Sequence, residues 1–209
     1  MIRILIADDH TVVRKGLKQI LAEEFQDAHI REVNDGIELL NAARAEPWDI
    51  VISDITMPGR SGLEALHQLK TDFPKMPVLI LSMHPENEYA LRALRSGAAG
   101  YLTKESASDE LVIAVRKILD GKRYITATLA EKLADSLRHN PDKEIHETLS
   151  DREFEVMKLI ASGKTMSEIA EILFLSVTTI STYRARILWK TQMKTNAELT
   201  RYAIQNNLV

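Results

Sequence analysis

The chain opens on short apolar runs that alternate with longer stretches whose apolar residues return every three or four positions. The runs are Ile2–Ala7, His29–Val33, Ile50–Ser53, Val78–Ser82 and Gly100–Thr103. Each has strand length. Between them lie helical periods: Val12/Val13/Leu17/Ile20/Leu21, Ile37/Leu40, Leu63/Leu66/Leu69, Tyr89/Leu91/Leu94 and Leu111/Val115/Ile118. Five βα units in succession predict an α/β domain with a doubly wound, five-stranded parallel sheet. Ligands of such sheets sit at the carboxyl ends of the strands. Asp8, Asp9, Asp54, Ser82 and Lys104 all fall at or just past a strand end, so the pattern places them on one rim.

The pattern changes after residue 121. Residues 127–139 predict a short amphipathic helix, and Asn140-Pro141-Asp142-Lys143-Glu144 a polar linker. The expected division is 1–121 as the α/β domain, 122–147 as a linker with its helix, and 148–209 as an all-α domain. In the last, Ser150 and Glu153 form a capping box opening a helix to Ser162, with Gly163 as its C′ residue. A short helix Met166–Phe174, a tight turn at Leu175-Ser176 and a longer helix from Ser176 or Val177 to about Thr191 give the helix-turn-helix pattern. Asn196 is expected to cap a final helix, Ala197–Gln205.

Composition narrows the chemistry. The 209 residues are 45% hydrophobic and 27% charged, as in soluble globular proteins. There is no cysteine, which excludes a disulfide framework, a thiolate metal site and a Cys nucleophile. No secretory signal is recognisable, and no run approaches the roughly 18 apolar residues of a membrane span; a cytoplasmic location is expected. The net charge of −3 is uneven. From Thr148 onward eight basic residues face six acidic ones, a local charge of +2 with the basic residues gathered between Arg184 and Arg201. Two domains with different partners are implied.

Asp54 is the residue most at odds with its surroundings. It ends an apolar run, where a lone carboxylate is costly to bury. With Asp8 and Asp9 at a neighbouring strand end, three carboxylates converge, and a cation is needed to hold them together. Singly, each rim residue also has an ordinary reading: Asp9 as a helix N-cap, Lys104 as a solvated lysine, Ser82 as a loop hydroxyl, Tyr101 as a half-buried strand aromatic, Pro58-Gly59 as a turn.

The long helix of the second domain divides at 100° per residue into two faces. Ile180, Ile187 and Thr191 face inward, flanked by Tyr183 and Leu188; Arg184 is expected to pack its stem and free its head. Thr178, Thr182, Ala185 and Trp189 face outward beside Ser181 and Arg186. No Arg, Lys, Asn or Gln occupies the centre of that outer face, so bidentate contacts to guanine or adenine are missing from it.

Together these motifs resemble a two-component response regulator with a receiver domain and a LuxR-type helix-turn-helix domain, the NarL/FixJ-like subfamily. The receiver resemblance rests on Asp8-Asp9-His10, Asp54 with Met57-Pro58-Gly59, Ser82, Gly97-Ala98, Gly100-Tyr101 and Lys104. That of the output domain rests on Leu149-Ser150-Asp151-Arg152-Glu153, Glu168-Ile169-Ala170, Thr179 to Arg184 and Lys194 to Leu199. It implies a flavodoxin-like receiver in which Asp54 is the phosphoacceptor. Asp8, Asp9, Asp54 and the Thr56 carbonyl would hold Mg²⁺, while Lys104, Ser82 and an inward-swinging Tyr101 would respond to the phosphoryl group. It further implies DNA contacts from Thr178, Thr179, Ser181, Thr182, Tyr183, Ala185, Arg186, Lys190 and Lys194. The implied partners are a sensor histidine kinase, double-stranded DNA, RNA polymerase indirectly, and a second copy of the chain on activation; no membrane is involved.

The chain departs from the family in places. Glu105 replaces the proline common after Lys104, Ser82 the more frequent Thr, and Gln192 a glycine at the helix end. An exposed Trp189 is expected to contact another domain or subunit. Two other classes stand beside this reading. A phosphatase acting through an aspartyl-phosphate needs an acid two residues after its nucleophile, where this chain has Thr56. The expectation is therefore no enzyme beyond self-phosphorylation from a phosphodonor and slow self-dephosphorylation. A DNA-binding protein with a silent receiver is disfavoured by the complete Asp8/Asp9/Asp54/Lys104 set.

Overall fold

The protein is described here from a computed structural model covering residues 1–58, 60–138, 145–206 and 208–209. The predicted linker 140–144, the last residue of the predicted helix 127–139 and Gly59 of the turn after Asp54 lie outside the described residues. The chain divides into two compact units, Met1–Ser136 and Leu137–Val209.

In the first unit five strands form one parallel sheet. They are β1 Arg3–Ala7, β2 His29–Val33, β3 Ile50–Asp54, β4 Val78–Ser82 and β5 Gly100–Thr103, in the order β2-β1-β3-β4-β5. The register sets Ala7 opposite Ser53, Asp54 opposite Leu81 and Ser82 opposite Thr103, so the strand ends that carry the predicted rim residues finish level with one another. The order turns back between β1 and β3, the switch point at which such sheets bind ligands. β1 begins at Arg3 rather than Ile2, and β3 includes Asp54 itself.

The helices are α1 Thr11–Glu24, α2 Gly36–Ala45, α3 Gly62–Asp72, α4 Glu86–Arg95 and α5 Ala107–Leu119. Ile4, Ile6, Ile50, Ile52, Leu79, Leu81 and Leu102 pack against Leu17 and Leu21 of α1 and Leu111, Val115 and Ile118 of α5. Leu5, Val51 and Ile80, pointing the other way by strand alternation, are buried as well. At about 1.5–3 kcal/mol per buried aliphatic side chain, this two-sided core supplies the rigidity that holds charged residues at its rim. Two apolar positions of the helical pattern are exposed, Val12 and Ile37. Val12 lies outside the stripe of α1 that Val13, Leu17 and Leu21 turn to the core. Gly62 is required where α3 begins: a Cβ there would lie 1.8 Å from the Asp54 carbonyl oxygen.

α6 Ala127–Arg138 follows. In the second unit, a 3₁₀ turn at Ile145–Thr148 leads into α7 Asp151–Ala161, α8 Met166–Ile172, α9 Val177–Thr191 and α10 Asn196–Gln205. The predicted capping box is present: Ser150 Oγ accepts from Glu153 N, and the Glu153 carboxylate accepts from Ser150 N. Gly163 has φ +81°, the left-handed conformation expected of a C′ residue. α8 stops at Ile172, two residues short of the predicted end. The cap of α10 is Thr195, whose side chain accepts from Glu198 N. Asn196, predicted for that role, is instead the first helical residue, its amide oxygen accepting from Arg184 Nε at 2.7 Å.

Candidate functional site

The rim gathers the predicted acids. Asp8 and Asp54 are nearly inaccessible, Asp9 is partly exposed, and Lys104 reaches between them from the residue after β5. Its Nζ lies 2.7 Å from Asp54 Oδ2 and 2.7 Å from Asp8 Oδ2. The first contact is a directed hydrogen bond. The second meets Asp8 Oδ2 off its bonding direction, so that oxygen has an ion pair but no directed donor. Asp8 Oδ1 accepts from the His10 backbone N at 2.8 Å, and Arg14 donates to the Asp8 carbonyl. Asp54 Oδ1 accepts weakly from Thr56 N at 3.4 Å. Asp9 does not cap α1; the N-cap position is His10, without a side-chain bond, and His10 Nδ1 lies 2.7 Å from Asp9 Oδ1.

Two buried carboxylates therefore share one ammonium, and a third, Asp9, stands beside them with only His10 for a partner. Like charges at this spacing repel by about 3 kcal/mol per pair at an effective dielectric of about 20. Burial pushes the Asp54 carboxyl up to about 6, outweighing the Lys104 ammonium that favours its charged form, and Asp8 adds to the rise. Burial also acts against the charge on Lys104, but Asp54 and Asp8 overcome it and hold the ammonium above its ordinary value.

The donor set fits a divalent cation. Asp8, Asp9, His10 and Asp54 each offer a ligand atom, all within 4.8 Å of one another. Asp8 Oδ2 and Asp9 Oδ1 are buried oxygens without a directed hydrogen bond. Buried, unsaturated carboxylate oxygens suit a hard, oxygen-seeking ion.

Behind the acids lies a second layer. Ser82 Oγ, fully buried, accepts from His84 N at 3.0 Å, and the Tyr101 hydroxyl donates to the His84 carbonyl at 2.7 Å. Tyr101 thus occupies the inward position in this structure, with no exposed surface. Lys104 N donates to the Ser82 carbonyl at 2.8 Å, which ties the cation-bearing residue to the hydroxyl-bearing one.

In the second unit, α9 presents the two predicted faces. Ile180, Ile187 and Thr191 are buried; the Thr191 hydroxyl is satisfied by the Ile187 carbonyl at 2.8 Å. Thr178, Ser181, Thr182, Ala185, Arg186 and Trp189 are exposed, Trp189 to 79%. Tyr183 is half-buried and Lys194 is exposed. Thr179 shares a 2.8 Å hydroxyl contact with Ser176, the N-cap. Arg184 is partly exposed, and its Nε donates to Asn196 Oδ1. Lys190 donates to Glu153 Oε2 at 2.6 Å. Gln192 ends the helix in the left-handed region, at φ 57°.

Three features had no sequence reading. His10 beside Asp9 was visible only as part of a motif. The Glu153–Lys190 pair joins residues 37 apart and leaves no local signal. Phe174 adopts φ +54° in the turn before α9, for which the hint is the lack of Gly or Asn after α8.

Comparison with known proteins agrees in both units. Residues 4–116 match the response regulator receiver domain, and residues 147–203 match the bacterial regulatory proteins of the luxR family. The oxygen regulatory protein NreC of Staphylococcus carnosus is 37% identical over 216 residues, covering 99% of each chain. The response regulator UvrY of Escherichia coli O6:H1 is 35% identical over 210 residues, covering 100% of this chain and 96% of the relative. Among solved structures, RcsB of Salmonella enterica serovar Typhimurium, bound to the rprA promoter in the presence of the phosphomimetic BeF3−, is similar with a TM-score of 0.63. It is 26% identical over 97% of this chain and 98% of that one. Among the described residues no helix is long and apolar enough to cross a membrane.

Proposed function

The chain belongs to the two-component response regulators that join a receiver domain to a LuxR-type DNA-binding domain, and on that premise we propose that it stores a phosphoryl group on Asp54 and reads it out as DNA binding that controls transcription. The observation that carries the reading is the Lys104 ammonium held 2.7 Å from both Asp54 and Asp8 in a rim with more carboxylates than cations. Asp8, Asp9, Asp54 and the Thr56 carbonyl would hold Mg²⁺, which would supply charge neutralisation for phosphoryl oxygens. An Asp54 oxygen attacks the phosphorus of a phosphohistidine on a cognate sensor kinase; the new O–P bond forms as the N–P bond breaks and the imidazole leaves. Lys104 transfers its hydrogen bond from Asp54 to a phosphoryl oxygen, and Ser82 Oγ turns from His84 N towards another. Tyr101, already inward, is coupled to that turn through the His84 backbone that both residues contact.

The phosphorylated state is selected because the phosphoryl group binds it better. The output unit then dimerises, α10 contributing to the contact, and α9 enters the major groove. Thr178, Ser181, Thr182 and Ala185 face base edges, Arg186 reaches for a guanine, and Thr179, Tyr183 and Lys194 approach phosphates. Lys190, assigned to phosphate from the sequence, must first leave Glu153. RNA polymerase is met indirectly, at the promoter, in the cytoplasm. Thr56 stands where an aspartyl-phosphate hydrolase carries its acid, so turnover is limited to slow loss of the chain's own phosphoryl group.

The direct test is Asp54→Asn. The wild-type chain gains one phosphoryl mass from acetyl phosphate with Mg²⁺ and dimerises; the variant gains none and stays as it was. A phosphoryl gain that survives the substitution, or one unaffected by EDTA, overturns the assignment.

A further inference from the structure

Phe174 lies in the turn between α8 and α9, and the protein bears two penalties to keep it there. Its backbone is left-handed at φ +54°, where an L side chain crowds the carbonyl and glycine does not. Its ring is 64% exposed, although the neighbouring Leu173 is buried. The backbone is fixed by Phe174 N donating to the Glu171 carbonyl at 3.2 Å and Leu175 N to the Ala170 carbonyl at 2.8 Å. The fold therefore needs this turn and makes little use of this side chain. Strain and exposure at one residue point outward, to a ligand.

What the ligand is follows from position and chemistry. Phe174 is four residues before Thr178, so their Cα atoms are at most about 14 Å apart, close to the width of a major groove. The first residues of a recognition helix are the ones that meet base edges. Ile172 and Val177, on either side of Phe174, are exposed too. No Lys or Arg occurs from Ile172 to Val177, which excludes a charge-based phosphate grip there. The adjoining face of α9 offers hydroxyls and methyls, without an Arg, Lys, Asn or Gln at its centre. Apolar contact with a thymine 5-methyl is the readout such a surface supports.

We propose that Phe174 is a specificity-determining residue that packs its ring on the 5-methyl group of a thymine at the edge of each DNA half-site, extending the surface of α9 into the turn. This rests on the reading of α9 as the DNA-reading helix.

The full-length chain, with acetyl phosphate and Mg²⁺, is used to select a binding duplex from a randomised pool. Each thymine of that duplex is then replaced in turn by deoxyuridine, which removes only the methyl group. Wild-type affinity falls about fourfold at one thymine in each half-site, the value of one buried methyl. In Phe174→Gly, whose backbone suits the turn, the same replacement has no effect, while Phe174→Leu keeps part of it. If wild type selects no duplex, the DNA reading fails and this inference with it. If wild type binds but its deoxyuridine profile matches that of Phe174→Gly, the inference alone is overturned, and a protein partner is left as the occupant of the patch.

Discussion

Asp54 in the sheet unit and Glu153 in the helical unit are a matched pair of carboxylates with opposite behaviour. Both are 3% exposed, and both accept from a lysine, at 2.7 Å and 2.6 Å. Yet the Asp54 carboxyl is pushed up to about 6, whereas Glu153 is held below its ordinary value. The difference lies in the company each keeps. Burial acts against both charges. Glu153 is answered by Lys190 and by the backbone N–H of Ser150 at 2.8 Å, donors only. Asp54 shares its lysine with Asp8, a second acid, and its one backbone donor is distant. Glu153 is a closed structural staple from the start of α7 to α9. Asp54 keeps a charge that its neighbours only partly answer, at an energetic cost, as the proposed cation and phosphoryl site requires. A buried acid with its donors complete reads as architecture; one that must share reads as function.

The largest effect should come from relieving that charge. A carboxyl raised from 3.8 to about 6 makes a stability contribution that is full below pH 3.8 and is lost as pH rises through about 6. At 1.36 kcal/mol per pH unit, that loss is on the order of 3 kcal/mol by pH 7. Asp54→Asn removes the charge and leaves Lys104 its contact with Asp8. With EDTA present, the variant should therefore be more stable than wild type by about 3 kcal/mol at pH 7, the gap closing towards pH 4. Urea unfolding at pH 4, 5, 6 and 7 measures it. Mg²⁺ should narrow the gap by stabilising wild type alone. Equal stabilities at pH 7 would erase the distinction between the two acids.

Opening the closed site should work in the other direction. Lys190→Ala leaves Glu153 with Ser150 as its remaining partner. Because the Lys190 side chain is about a third exposed, the loss is discounted to about 1–2 kcal/mol. The folded pKa of Glu153 is depressed, so its contribution is present above the ordinary value of 4.5 and lost as pH falls through the lower folded value. The deficit of Lys190→Ala should be full at pH 7 and shrink in acid, the mirror image of Asp54→Asn. A deficit that grew on acidification would show Lys190 to be stabilising something other than Glu153.

The two acids also differ in how well the sequence announced them. Asp54 follows an uninterrupted apolar run, so its strand, its rim position and its neighbours at the ends of β1, β4 and β5 all follow from one period-counting argument. The faces of α9 were legible for the same reason: 100° per residue assigns Ile180 and Ile187 inward and Thr178 and Thr182 outward without reference to any partner. Glu153 was legible only as half of a capping box, because its second role depends on Lys190 arriving from another helix. The Arg184–Asn196 bond is of the same kind; it drew Asn196 away from the cap and left that task to Thr195. Periodicity encodes which way a side chain points, but not which distant group it meets. Val12 and Ile37 mark a further limit, since an apolar residue can satisfy the spacing and still face water.

The smallest effect tests whether backbone strain belongs to this comparison at all. Gln192 closes α9 at φ 57°, with Met193 N donating to the Leu188 carbonyl at 3.1 Å, the six-to-one bond of a Schellman ending. A side chain there opposes the left-handed backbone, and glycine removes the clash but enlarges the entropy of the unfolded chain. The net gain from Gln192→Gly should be about 0.5–1 kcal/mol. No charge is involved, so the gain should be the same at every pH at which the chain stays folded, unlike either acid. It should also add to the deficit of Lys190→Ala in the double variant, because backbone strain and an ion pair to another helix are separate terms. Urea unfolding of the two single variants and the double variant decides it. Strong non-additivity would mean that the helix end positions Lys190 for Glu153, so that the staple extends to Gln192 and the strained residue serves the pair.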